Sequence, residues 1–145
     1  MIAIGCDHGG YELKLEIIKH LKKKGIECVD FGCPSADAVD YPDIAFPLAE
    51  SVAKGEFEKG ILICGTGIGM SIAANKVKGI RCALCSDTYS AHTTREHNDS
   101  NVLALGARVT GVNLALDIVD AWLGAAFMGA HHKQRVEKIK AYEQK

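Results

Sequence analysis

The 145-residue chain predicts an α/β sandwich on a parallel β-sheet, and three features of its pattern point there. Five short apolar runs recur, at residues 2–6, 26–31, 61–64, 81–85 and 102–105. Three of them are continuously apolar over four or five residues, which is how strands buried on both faces of a parallel sheet read. Longer segments with helical character lie between the runs, and strands alternating with helices imply strand–helix–strand units. The chain shows no linker, repeat or low-complexity stretch, so residues 1–145 are read as one domain of ordinary size.

The first run ends at Asp7-His8-Gly9-Gly10, after which Leu13, Ile17 and Leu21 recur at helical spacing over residues 11–24. Alternation of Tyr11, Leu13, Leu15 and Ile17 would also fit a strand, but the segment's length and the charged Glu12, Lys14 and Glu16 favour a helix. Lys22, Lys23 and Lys24 close it, where cations complement the helix dipole. A turn-like stretch at residues 33–40 follows the second run, and a helix over residues 42–54 stops at Gly55. The third run ends at Cys64, and a helix begins within the glycine-rich segment that follows. Further helices are expected within residues 87–96 and over 111–123 and 133–142.

Composition narrows the function. Hydrophobic residues make up 48% and charged residues 24%, with a formal net charge of −1 and no concentrated basic face, so nucleic acid is not an expected partner. No apolar run approaches the ~18 residues of a membrane span, and Asp7 and His8 interrupt the N-terminal apolar run, which excludes a membrane partner and a signal-peptide pattern. Six cysteines without an export signal read as reduced thiols of a cytoplasmic protein. Cys82 and Cys85 have zinc-knuckle spacing, but no second pair completes four ligands, and on a strand they point to opposite faces. They are core residues, and no metal or cofactor is expected.

In a parallel sheet, ligands bind where the loops leave the carboxyl ends of the strands. The most informative such loop is Cys64-Gly65-Thr66-Gly67-Ile68-Gly69-Met70-Ser71. Its glycines admit a tight turn and let a ligand approach backbone N–H groups, which favour a phosphate or a developing oxyanion. No Lys follows them as a Walker loop requires. A dinucleotide fingerprint is also imperfect, because the third glycine comes one place early; Asp87, at ribose-binding distance, keeps that alternative open. Cys64 is either a buried strand residue or, at the start of a helix whose dipole favours thiolate, a base. His97, in Arg95-Glu96-His97-Asn98-Asp99, is either surface decoration or a site residue, while Asp7-His8 occupies a ligand position of this architecture. His131, His132 and Arg135 line a polar approach to the last helix; solvent exposure or carbonyl capping would equally account for them.

Taken together, Gly5-Cys6-Asp7-His8, Asp40-Tyr41-Pro42, residues 63–76, His97-Asn98-Asp99, residues 101–109, residues 120–124 and Gln134-Arg135-Val136 closely resemble the B-type ribose-5-phosphate isomerases, a family that includes allose- and galactose-6-phosphate isomerases. The resemblance implies a three-layer, Rossmann-like α/β/α sandwich on five parallel strands. It also implies a homodimer whose active sites lie at the subunit interface, and leaves open whether dimers pair into tetramers. Cys64 is then the base working between C1 and C2 of a phosphorylated sugar. His97 assists furanose opening, with Asp7 and Thr66 as helpers. Amides of Gly65, Thr66, Gly67, Ile68, Gly69 and Ser71 stabilise the enediolate oxygen, and Tyr41 and Asn98 place the sugar. His8, Arg108, His131 and Arg135 form the phosphate end. Members that lack the cysteine use a glutamate six residues on; that position here is Met70, which directs the role to Cys64. Several relatives carry arginine where this chain has His131, and imidazole is the weaker phosphate partner. The expected activity is interconversion of ribose 5-phosphate and ribulose 5-phosphate. Its rivals are a hexose 6-phosphate isomerase of the same family and a non-catalytic phosphate- or nucleotide-binding module.

Overall fold

The computed structural model describes residues 1–33, 35 and 37–145, so Pro34 and Ala36 of the loop at 32–41 lie outside the described residues. Five strands, β1 (Ile2–Cys6), β2 (Cys28–Asp30), β3 (Lys59–Cys64), β4 (Cys82–Leu84) and β5 (Val102–Gly106), form one sheet in the order β2-β1-β3-β5-β4. Every pairing is parallel. Six helices flank it: α1 (Tyr11–Lys23), α2 (Pro42–Ala53), α3 (Ile68–Ala74), α4 (Thr88–Asn98), α5 (Val112–Leu123) and α6 (His131–Glu143). No helix among the described residues is long and apolar enough to cross a membrane.

Alternation along the strands divides the interior into two cores. Ile61, Ile63, Leu103 and Leu105 face α1, α4 and α5, whereas Leu62, Cys64, Val102 and Ala104 face α2 and α3. Each fully buried Ile or Leu of these strands contributes about 1.5–3 kcal/mol relative to exposure. On α1, Leu13, Ile17 and Leu21 are buried and Leu15 is exposed, which resolves the strand-or-helix alternation in favour of the helix. Cys82 on β4 and Cys85 one residue beyond it belong to opposite cores, as expected of residues three apart in extended chain.

The boundaries differ from expectation where neighbours intervene. β2 is shorter than the apolar run at 26–31, because Ile26 is taken up in closing α1. Its N–H donates to Leu21 O and that of Gly25 to Lys22 O, with Gly25 at φ 74°, a Schellman closure. β3 instead starts two residues early, since Lys59 and Gly60 find ladder partners in Ile2 and Ala3. α4 runs on through His97 and Asn98, and α6 starts at His131 rather than Lys133. Lys14, one of the charged residues that favour a helix, is only 1% exposed. Its ammonium bonds Asp30 at 2.9 Å and the carbonyl of Cys33, tying α1 to the start of the 32–41 loop.

The chain leaves β1 towards β2 and leaves β3 towards the other edge of the sheet. Loops that part in this way open a crevice at the carboxyl ends of the two strands. Cys64, the last residue of the central strand, stands at that crevice.

Candidate active site

At the end of β1, Asp7 accepts hydrogen bonds from Gly9 N–H at 2.9 Å and Gly10 N–H at 3.2 Å, capping a single 3₁₀ turn (His8–Gly10) that leads into α1. This fixes the Asp7 carboxylate through one oxygen, and Gly9 lies against Gly65 across the crevice. His8 is exposed, and its Nδ1 accepts from Val39 N–H at 3.3 Å, joining the crevice to the 32–41 loop.

After Cys64 the chain turns at Gly67, whose φ of 81° lies in the left-handed region that favours glycine. That turn aims Gly67 N–H at the Cys64 sulfur, 3.1 Å away. Ile68 N–H donates to Thr66 Oγ1 at 3.2 Å, and Ser71 N–H to Gly67 O at 3.0 Å. The expected row of amides from Gly65 to Ser71 is therefore narrower than the sequence suggests, because three of its members are engaged within the loop. Among the described residues the N–H groups of Gly65, Thr66 and Gly69 make no internal hydrogen bond. Ser71 turns its hydroxyl to Ile68 O at 2.8 Å.

Two side chains frame these amides. A Cβ at Gly65 would stand 3.5 Å from Arg108 Cδ and Nη1, so the guanidinium lies against that glycine. A Cβ at Gly69 would stand 2.8 Å from the Tyr41 ring, so the ring seats on the first turn of α3. Next to the loop, Thr66, Ile68, Leu84, Ser86 and Val109 line a cavity of about 200 Å³. A larger depression of about 460 Å³, bounded by Met1, Lys22 and Cys28, lies at the amino ends of the strands, away from these loops.

The remaining predicted residues form a second group. His97 stacks on His132 with ring centroids 4.0 Å apart and an interplanar angle of 12°, and His132 in turn meets His131 at 4.0 Å. Asn98 and Arg135 are exposed beside them, on α4 and α6. Burial lowers the His132 imidazole below its ordinary 6.5, and the neighbouring His97, His131 and Arg135 push the same way. His132, absent from the expected site, is thus its best-enclosed histidine. Starting α6 at His131 puts His132 in its first turn, where it faces α4.

Among the described residues, no hydrogen bond or ring contact joins the His97 group to the Cys64 group. The expected phosphate end is divided accordingly: His8 and Arg108 lie with Cys64, and His131 and Arg135 with His97. No cluster of three or more His, Cys, Asp or Glu among the described residues is arranged to hold a metal ion. The other deeply placed thiols have no comparable setting. Burial raises Cys6 and Cys82 to about 12 and Cys85 to about 11, so they stay protonated near neutrality.

A thiol at the end of a central strand, beside open amides, can move a proton while charge gathers on a neighbouring oxygen. The sheet order defines an α/β fold of the doubly wound kind, and proton transfer of this sort is what an isomerase needs. The chain belongs to the Ribose/Galactose Isomerase family, which it matches over residues 2–139. It is 57% identical over 144 residues to ribose-5-phosphate isomerase B of Escherichia coli (strain K12), covering 99% of this chain and 97% of that one. Clostridium thermocellum ribose-5-phosphate isomerase B superposes with a TM-score of 0.97 at 58% identity, covering 99% of this chain and 97% of that one. The Mycoplasma genitalium enzyme, solved with bound ribulose-5-phosphate, superposes at 0.96 with 44% identity, over 99% and 96% of the two chains.

Proposed function

We propose that residues 1–145 form one isomerase domain that interconverts ribose 5-phosphate and ribulose 5-phosphate, with Cys64 as the base. The observation that carries this reading is the Cys64 sulfur at the head of β3, bonded by Gly67 N–H and beside the open amides of Gly65, Thr66 and Gly69. Cys64 thiolate removes the C2 proton of the open-chain aldose and returns it to C1, while the hydroxyl proton of O2 passes to O1. The negative charge that builds on oxygen in the enediolate is met by those amides, which need no reorganisation as the charge develops. His97 moves the proton that opens the furanose, Asp7 and Thr66 assist, and Tyr41 and Asn98 place the sugar. His8, Arg108, His131 and Arg135 hold the phosphate, whose binding is used to orient the remote reacting carbons.

The separation of the His97 group from the Cys64 group supports a homodimer in which each active site takes one group from either subunit. Exposed Ile68, Ile72, Leu84, Val109 and Val112 beside the glycine loop supply an apolar surface for the second copy. Pairing of dimers into tetramers is the larger assembly this reading allows. Six free thiols suit a cytoplasmic location.

The test is turnover of purified protein on ribose 5-phosphate and on allose and galactose 6-phosphates, with and without EDTA. The expected result is a clear preference for the five-carbon substrate and full activity after chelation. A preference for a six-carbon aldose would move the enzyme to the other branch of its family. Activity lost to EDTA and restored by one divalent ion would overturn the metal-free mechanism, and absence of turnover would leave a binding module.

A further inference from the structure

His97 and Asn98 occupy the last turn of α4, where carbonyls run out of helical partners. Elsewhere the chain closes such an end with its own backbone, as at Gly25 after α1. After α4 it does the same, the N–H groups of Asp99 and Ser100 donating to Thr94 O, and adds side chains from the segment before β4, from α4 itself and from α5. Arg81, just before β4, donates Nε to Asn98 O at 2.9 Å and Nη2 to Asp99 O at 2.8 Å. Arg95 on α4 donates Nη1 to Ser100 O at 2.6 Å, and Trp122 on α5 donates Nε1 to Ser100 Oγ at 2.9 Å. Between the two guanidinium groups sits the Asp99 carboxylate, 2.9 Å from Arg95 Nη1 and 3.5 Å from Arg81 Nη2.

Two details make this more than an ordinary helix stop. Asp99 holds φ 49°, a left-handed conformation in which glycine would be easier, so the position carries a carboxylate despite the backbone. Arg95 is 9% exposed and its Nε has no hydrogen-bond partner among the described residues, so its buried charge depends on Asp99. The three residues after His97 are thereby clamped, and the His97 ring projects from the clamped turn onto His132.

We infer that Arg81, Asp99 and Arg95 form a charged clamp that positions His97 and Asn98 for the sugar, with Asp99 as its centre. Arg81 and Asp99 are positioning residues: they act through the α4 terminus. The inference rests on the proposed role of His97 in ring opening. Misplacing a reacting group by about 1 Å can cost on the order of 100-fold in rate, so a loosened clamp is felt in kcat.

The experiment compares Asp99→Asn, Arg81→Met and His97→Asn with the wild type. Asn tolerates the left-handed conformation and keeps an oxygen for Arg95, while Arg81→Met leaves Asp99 paired with Arg95. Two readouts are taken: steady-state kinetics on ribose 5-phosphate, and the imidazole proton NMR signals of His97, identified by their loss in His97→Asn. Both clamp variants are expected to lower kcat roughly 10-fold or more with KM within about threefold, and to shift the His97 ring signals as the His132 stack loosens. Unmoved His97 signals, or normal kcat with moved signals, would overturn the clamp. If His97→Asn itself turns over normally, the ring-opening role fails instead, and the NMR arm still judges whether the clamp holds the ring. Should Asp99→Asn lose its fold by circular dichroism, Arg81→Met decides by the same criteria.

Discussion

Around Cys64 the geometry is set by main chain from one continuous segment, whereas around His97 it is set by side chains from α4, α5, α6 and the segment before β4. In the first group a left-handed Gly67 aims an amide at the sulfur, and Arg108 and Tyr41 rest directly on Gly65 and Gly69. In the second, two imidazoles stack and an ion-pair array holds the helix end. Backbone donors cannot leave their places, which suits the oxygen where charge develops. Long cationic side chains can follow a mobile phosphate, at a cost in ordering entropy when the ligand arrives. The two groups thus differ in construction: fixed main-chain donors gather at Cys64, and adjustable side chains gather at His97.

The largest effect expected from breaking this division is at Cys64. Cys64→Ala should lower kcat by ~10²–10⁴-fold while KM changes little, because the amides and phosphate groups remain. Near-normal kcat would place the base elsewhere.

The division between subunits is tested by mixing. Cys64→Ala and His97→Asn proteins, each nearly inactive alone, are denatured together and refolded. If each site combines one group from either subunit, heterodimers regain one intact site of two, and random pairing gives about a quarter of wild-type activity. A mixture no more active than its parents would mean that both groups serve the same site from one chain.

A smaller loss is expected at the capture end. Arg135→Ala removes one charge-assisted partner of the phosphate, about 1.5–3 kcal/mol, and should raise KM roughly 10- to 100-fold with kcat nearly unchanged. A change confined to kcat would move Arg135 out of the phosphate site.

The smallest effect concerns pH. His132 titrates below 6.5 in the folded protein, so between that value and its lowered folded one the unfolded chain binds more protons. Stability should therefore be undiminished by this group above pH 6.5 and fall as pH drops below it. His132→Asn should flatten that part of a Tm-against-pH curve, and an unchanged slope would show that another group is responsible.

Much of this was legible in the sequence because it is local. Apolar runs, helical spacing and the glycine stretch after Cys64 each report on neighbours a few residues away, and they located all five strands and the glycine-rich loop after β3. Asp7, His8, Tyr41, Arg108 and Cys64 do converge on one crevice, since loops from the same strand ends must meet there. Three things were not local. Lys14 reads as a surface lysine, and only the approach of Asp30 and the Cys33 carbonyl makes its burial tolerable. His132 is enclosed because α6 begins two residues early and packs on α4. The division of the expected phosphate residues into two sets follows from strand order, which separates the β1–β3 crevice from the α4–α6 contact. Local pattern was enough for the class of fold and for the glycine loop that follows Cys64. Packing settled which charges are buried, which histidine is enclosed and that the expected site residues fall into two groups, because burial and partnership depend on what arrives from elsewhere in the chain.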